Sequence, residues 1–125
     1  KAHTILETVA MADKQHALVA SLPHGDQRKL EVALLMALDP LVYMFDEPTA
    51  GMSAEEAPVI LNLIRQLKAD KSKIILLVEH KMDVVRELAD RIIVLHNGQL
   101  VADGEPNEVI ASPIVQEAYL GVAPA

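Results

Sequence analysis

Two adjacent carboxylates, Asp46 and Glu47, end an apolar segment that begins at Leu41. Because burying an unpaired charge is costly, a strand that ends in this pair must deliver it beyond the edge of its sheet. One carboxylate can then hold a hard cation such as Mg²⁺, while the other polarises an attacking water. The chain turns at once from Pro48 to Gly51. This arrangement is typical of a nucleotide-hydrolysis site, and the alternative interpretation is a strand followed by a solvated acidic turn.

A second polar pair, Glu79 and His80, follows the β-rich segment Ile74 to Val78. Between the two apolar segments, apolar residues recur at helical spacing from Val59 to Leu67. This strand–helix–strand order predicts an α/β fold with at least two parallel strands and a right-handed crossover. Ligands bind beyond the carboxyl ends of such strands, so we expect both polar pairs to face one crevice. The continuous apolar composition of the first strand predicts that both of its faces are covered.

Helical spacing also governs the region before the first strand. Apolar residues recur at intervals of three and four between Gly25 and Pro40, which predicts a helix that ends before the proline. Beyond the acidic pair, Ser53 and Glu56 form a capping-box pattern. Pro58 lacks a backbone donor, so the helix that follows this pattern is expected to bend or to begin late.

The last third of the chain is predicted to combine a hairpin with short helices. Asn97 and Gly98 separate two β-rich segments, a strong signal for an antiparallel pair. Pro106 and the Ser112–Pro113 pair mark the starts of two short closing helices, and Gly121 marks a stop.

Composition narrows the classes of function. The 125 residues amount to one domain, and 51% hydrophobic content is ample for a core. The formal net charge of -7 repels nucleic acid and anionic lipid. No cysteine occurs, which excludes disulfides and thiolate metal sites, and neither a membrane span nor an export signal is visible. The chain begins at Lys1, without Met, in a helix-like pattern, so we interpret it as a fragment or a processed product.

Three short segments, in this order, resemble the second half of an ATP-binding-cassette (ABC) transporter ATPase. Leu22 to Gln27 resembles the signature loop, Leu41 to Pro48 the Walker B strand, and Val78 to His80 the switch-histidine strand. The likeness covers essentially the whole chain. It implies a partial P-loop NTPase fold with parallel strands, flanking helices and a C-terminal β-hairpin. Residues 1–40 would form part of the helical subdomain, and residues 41–125 the C-terminal part of the nucleotide-binding core.

The resemblance implies a role for each matching residue. Asp46 would hold Mg²⁺, directly or through water, and Glu47 would orient and deprotonate the attacking water. His80 would reach the terminal phosphate of ATP and link its presence to closure of the site. The loop that crosses to a partner ATPase would consist of Ala50, Gly51 and Met52.

The signature loop would contact the ATP of the partner subunit through Pro23, His24, Gly25, Asp26 and Gln27. The last three open a helix whose free N–H groups and positive end favour an anion. Pro23 departs from the family pattern because it stands where serine is expected and has neither a hydroxyl nor an N–H. His24 either replaces that contact in part or is a solvent-exposed residue.

The Walker A loop of the family is absent from this sequence. That loop requires a glycine followed by lysine, and none of the 5 glycines precedes a lysine. Mg²⁺ typically binds through one or two carboxylates together with substrate phosphates. We therefore predict that this chain alone neither binds nor hydrolyses ATP appreciably.

Further segments, including Gln27 to Ala33, Glu47 to Met52 and Glu79 to Val85, resemble ATPases of branched-chain amino acid importers. This implies a cytoplasmic subunit, peripheral on the inner face of the membrane. Its partners would be a second ABC ATPase subunit and permease subunits, with a substrate-binding protein acting indirectly and no nucleic acid involved. Importers of urea or short amides share the Ala-Gly-Met turn and remain an alternative.

The leading hypothesis is that the chain is catalytic within a longer ATPase, and two other hypotheses differ in class. One is a non-catalytic chain that pairs with a complete ATPase. The other is an ABC-type ATPase of DNA repair or chromosome maintenance, which the acidic charge and the transporter-like ending disfavour. If the piece exists alone, strands left with open edges and apolar faces predict self-association.

Overall fold

A parallel pair of strands organises the first part of the chain. β1 (Val42–Asp46) and β2 (Ile74–Val78) lie side by side in register, with Met44 opposite Leu76. α3 (Ala57–Ala69) connects them, which confirms the predicted parallel strand–helix–strand order. The computed structural model describes residues 1–121 and divides the chain into two compact units, residues 1–78 and the residues from 79 onward.

The first unit begins with helices that precede β1. α1 (Ala2–Thr8) and two 3₁₀ turns, Ala12–Lys14 and Val19–Ser21, lead to α2 (His24–Leu38), which packs against α1 and α3. α2 ends where predicted, because Asp39 adopts a left-handed conformation with φ 50° just before the proline.

The start of α3 shows how a cap and a proline combine. The backbone N–H of Ser53 donates to Glu56 Oε2 at 3.1 Å, and the N–H of Glu56 donates to Ser53 Oγ at 3.2 Å. The capping box is therefore formed, yet α3 begins only at Ala57, with Pro58 in its first turn. Proline lacks the backbone N–H that a residue further inside a helix must donate, but in the first turn that N–H would have no helical partner. The helix therefore begins late enough to place Pro58 in its first turn.

The buried side of the first unit is apolar. Tyr43 and Phe45 on β1 are buried and stack with their ring centroids 6.2 Å apart. Burial raises the pKa of the Tyr43 hydroxyl above its ordinary value. The other buried apolar residues of this unit are Val9, Met11, Val32, Ala33, Ile60, Leu63 and Ile64.

The opposite face of the two strands is open to solvent. Alternate residues on β1 and β2 form what we call the open sheet face, and they are 47% to 69% exposed. The expectation that both faces of β1 are covered is therefore wrong for the part of the chain that the structure describes. Only one side of this two-stranded sheet is buried. The open sheet face consists of Val42, Met44, Ile74, Leu76 and Val78.

The second unit contains the predicted hairpin and closing helices. Its elements are α4 (Met82–Leu88), β3 (Ile92–His96), β4 (Gln99–Gly104), α5 (Pro106–Ala111), α6 (Pro113–Val115) and a π turn, Gln116–Leu120. β3 and β4 pair antiparallel through Asn97 and Gly98, both with positive φ, and Gly121 ends the last turn at φ 65°. The core of this unit consists of Ile92, Val94, Val109, Ile110 and Val115.

No helix among residues 1–121 is long and apolar enough to cross a bilayer.

An ion pair between buried Asp26 and partly exposed Lys14 anchors the beginning of α2. Asp26 is 6% exposed, and its carboxylate accepts a short hydrogen bond from the ammonium of Lys14. The ammonium of Lys29 lies 3.5 Å from the other carboxylate oxygen. The hydrogen bond from Lys14 outweighs desolvation and lowers the pKa of Asp26 below its ordinary value of 3.8. The first turn of α2 is thus tied by charge to the earlier 3₁₀ turn, Ala12–Lys14.

This ion pair predicts a pH dependence of stability. A carboxyl group with a lowered pKa in the folded state stabilises the fold at neutral pH, and this contribution is lost as pH falls through the folded-state pKa, below 3.8. We expect Asp26→Asn to lower the free energy of unfolding at pH 7, and the difference from the unmodified chain to shrink in acid. Urea unfolding at several pH values measures this difference. Asp83→Asn, at an exposed residue of α4 outside this ion pair, is the control, and a difference that does not depend on pH would contradict the assignment.

The open sheet face predicts self-association of the isolated chain. Contiguous exposed apolar patches of more than a few hundred Å² are rare on monomers. We expect sedimentation equilibrium at high micromolar concentration to detect association that Leu76→Lys weakens, because a buried ammonium opposes contact. Leu38→Lys, at an exposed leucine on α2 outside this face, is the matched control. A monomer at that concentration would contradict the prediction.

Candidate nucleotide-hydrolysis site

The two predicted carboxylates stand at the carboxyl end of β1. Asp46 is the last residue of the strand and is exposed. The backbone N–H of Glu47 donates to the carbonyl of Val78 at 2.9 Å, which adds one bond beyond the paired residues of β1 and β2. Glu47 itself has φ 42°, a left-handed conformation that is uncommon for residues other than glycine. Strained backbone of this kind clusters at functional sites, and here it turns the chain directly at the acidic pair.

Two consecutive turns fix the loop that follows. The N–H of Ala50 donates to Glu47 O at 2.9 Å, and the N–H of Met52 donates to Thr49 O at 3.2 Å. Thr49 is 2% exposed, so the middle of the loop is anchored in the protein. Gly51 has φ 74°, a conformation that glycine adopts at little cost. The loop is therefore a defined turn that presents residues 50–52.

Asp46 also borders a groove between α2 and β1. The groove has a volume of about 240 Å³, and its lining combines apolar side chains with Arg28, Glu31 and Asp46. The exposed carboxylate of Asp46 can therefore be approached from solvent by a ligand.

The carboxylate of Asp46 at the end of β1 is a chemically suitable ligand for Mg²⁺. Carboxylate oxygens are the ligands this cation prefers, and Asp46 supplies them on an exposed position. Within residues 1–121, no group of three or more side chains is arranged to hold a metal ion. Mg²⁺ commonly binds through one or two carboxylates while water and phosphate oxygens complete its shell. Asp46 can therefore supply one carboxylate to such a shell.

His80 lies just beyond the carboxyl end of β2. Its side chain is 62% exposed, and its Nδ1 lies 3.8 Å from Glu79 Oε1. The same oxygen of Glu79 accepts hydrogen bonds from the N–H groups of His80 and Lys81, at 3.3 and 3.4 Å, while the Glu79 side chain is only 1% exposed. Glu79 thus fixes the backbone that carries His80. Asp46 and Glu47 belong to the first unit and His80 to the second, so a joint site remains a prediction.

The predicted signature residues take different positions. Pro23 precedes α2 and offers no side-chain cap, but its carbonyl accepts the N–H of Gln27 at 3.0 Å. The side chain of Gln27 donates to Leu22 O at 3.0 Å, and Asp26 is engaged in its ion pairs. Pro23 and His24 are the exposed members of the set. The side chains of Asp26 and Gln27 are therefore engaged within the chain itself.

The fold brings the signature residues next to the loop at residues 50–52. A Cβ placed on Gly51 would lie 3.5 Å from His24 Nε2. No spacing in the sequence links these two segments. The role of Lys14 as the main partner of Asp26 is likewise not predicted from the sequence. Lys29 stands three residues after Asp26, a helical spacing that signals a contact, whereas no pattern links Asp26 to Lys14.

Comparisons with known proteins identify relatives of this chain. No family model matches the chain. The high-affinity branched-chain amino acid transport ATP-binding protein LivG of Salmonella typhimurium is 38% identical over 123 residues, 98% of this chain and 48% of LivG. The corresponding protein BraF of Pseudomonas aeruginosa is 36% identical over 118 residues, 94% of this chain and 46% of BraF. The chain thus spans about half the length of the curated relatives it matches.

A solved structure supports the same relationship. The ADP conformation of MJ1267, an ATP-binding cassette of an ABC transporter, superposes with a TM-score of 0.81 at 32% identity. The match covers 98% of this chain and 49% of MJ1267. By sequence and by fold, the chain therefore corresponds to the carboxyl-terminal half of the ABC transporter ATP-binding proteins to which it is similar.

Proposed function

We propose that this chain supplies the carboxyl-terminal half of the catalytic machinery of an ATP-hydrolysing importer subunit. The observation that carries the proposal is the acidic pair at the carboxyl end of a parallel strand, with Glu47 in a left-handed turn bonded to Val78. Ligands of open α/β sheets bind at this edge. The names of the relatives favour import of branched-chain or other hydrophobic amino acids.

The two carboxylates divide the chemistry. Asp46 would hold Mg²⁺, directly or through water, and the bound cation would offset the negative charge of the phosphates. Glu47 accepts a proton from the attacking water while the new bond to the terminal phosphorus forms and the bond to the leaving ADP breaks. His80 donates a hydrogen bond to the terminal phosphate. All three roles need a nucleotide held by a phosphate-binding loop.

The remaining predicted residues act toward a second subunit. Residues 23–27 contact the nucleotide of the partner ATPase, and the loop at residues 50–52 crosses to it. Permease subunits place the assembly on the inner face of the membrane, in the cytoplasm, and a substrate-binding protein selects the solute. Residues 1–40 correspond to the helical subdomain and residues 41–125 to the nucleotide-binding core.

A second candidate function is a non-catalytic chain that pairs with a complete ATPase. Pro23 favours it because this residue cannot donate from a hydroxyl or an N–H. The engagement of Asp26 with Lys14 favours it as well, since that carboxylate is already paired within the chain. The presence of Asp46, Glu47 and His80 together favours the catalytic function.

A chimera distinguishes the two functions. The amino-terminal half of LivG from Escherichia coli, joined to this chain, would supply a phosphate-binding loop in front of Asp46. We expect the chimera to hydrolyse ATP, and Glu47→Gln to lower kcat about a hundredfold or more, because a general base contributes on that scale.

The control for this experiment is Glu55→Gln, an exposed glutamate in the next loop, which should keep its activity. A folded chimera that binds ATP but hydrolyses none would favour the non-catalytic function. Loss of activity in both variants would contradict the role given to Glu47.

The isolated chain is expected to lack ATP affinity. No glycine in it is followed by lysine, so no loop of this sequence cradles the phosphates. Titration calorimetry with Mg²⁺ and ATP should detect no saturable binding, with complete LivG as the positive control. A dissociation constant below the millimolar range would contradict this expectation.

A further inference from the structure

The carboxylate of Glu56 lies directly against Gly25 in the first turn of α2. A Cβ on Gly25 would lie 2.2 Å from Glu56 Oε1 and 2.6 Å from its Cδ. Real Cβ atoms do not approach other atoms so closely, and Gly25 is buried. The contact therefore accepts only glycine at this position while Glu56 stays in place.

The capping box holds Glu56 in that position. Its Oε2 accepts the N–H of Ser53, and its own N–H donates to the Ser53 hydroxyl, while Oε1 faces Gly25. A carboxylate beside the first turn of a helix is also favoured by the helix dipole. Displacing Glu56 from Gly25 therefore costs both the cap of its own loop and a favourable charge position.

A second close approach, a few residues away, joins the first turn of α2 to the crossing loop itself. Nε2 of His24 lies 3.5 Å from the place where a Cβ on Gly51 would stand. The 3.5 Å separation is an ordinary van der Waals distance, so His24 and Gly51 lie next to each other. The signature turn, residues 22–27, and the crossing loop, residues 50–52, meet at this interface.

We propose that Glu56 is a positioning residue that fixes the signature turn against the crossing loop of the same chain. The capping box links Glu56 to Ser53, the residue that follows the crossing loop. The other carboxylate oxygen of Glu56, Oε1, packs against Gly25 in the signature turn. The two segments that would face the partner subunit then move as one body. This role rests on the proposed function, but the coupling itself is a property of this chain without nucleotide.

Amide hydrogen exchange of the 125-residue chain, followed by NMR, tests the coupling. The reporter is the N–H of Gln27, which donates to Pro23 O inside the signature turn. We expect Glu56→Ala to speed its exchange about fivefold, the equivalent of one lost capping interaction. Glu56→Gln keeps an oxygen for Ser53 and should restore protection, and Glu55→Ala should leave it unchanged. A residue that only caps α3 would alter exchange at Ser53 and not at Gln27.

A substitution at Gly25 tests the same contact, with the effect measured near Glu56. Gly25→Ala should push Glu56 away and speed exchange of the Ser53 N–H, its hydrogen-bond donor partner. In a chain that already carries Glu56→Ala, adding Gly25→Ala should change exchange in the crossing loop by less than twofold, because the clash is gone. Effects confined to the mutated segment would overturn the proposal. If Gly25→Ala does not fold, the Glu56 variants decide the question.

Failure of this proposal is distinguishable from failure of the proposed function. Exchange is measured without ATP, so a chimera that lacks ATPase activity leaves the coupling result standing. Conversely, an active chimera with no exchange coupling between Glu56 and Gln27 would keep the catalytic function and remove the role of Glu56.

Discussion

The parallel pairing of β1 with β2 is the constraint on which the first unit depends. Parallel strands need a crossover, and α3 supplies it between residues 57 and 69. The pairing places both carboxyl ends at one edge, and the bond from Glu47 to Val78 extends it by one residue. The acidic pair and the chain that leads to His80 therefore leave from the same edge, which is where open α/β sheets bind ligands.

The same pairing leaves an apolar surface. Helices α2 and α3 contribute to the buried side, while Met44 and Leu76 on the other side are 69% and 47% exposed. Exposed apolar area of this kind opposes stability in water unless it is covered. The curated relatives are about twice as long as this chain. The association state of the isolated chain therefore depends on what covers its open sheet face.

The signature turn combines residues that stabilise the chain internally with residues that are exposed to solvent. Asp26 is buried and paired with Lys14, and Gln27 is bonded back to Leu22, so the turn is stabilised from inside. Pro23 and His24 are left at the surface. A turn that is fixed by the chain's own interactions loses little further entropy when a ligand or partner contacts it.

The sequence alone determined the elements and their order. Proline and glycine positions, the capping box and hydrophobic spacing located α2, β1, β2 and the hairpin at Asn97–Gly98, because these signals act within a few residues. It also placed the acidic pair at a strand end. Only the tertiary structure decided that one face of β1 is exposed, that Lys14 pairs with Asp26, and that Glu56 packs on Gly25. These contacts join residues far apart in the chain, and their existence depends on how the segments pack, which local spacing does not encode.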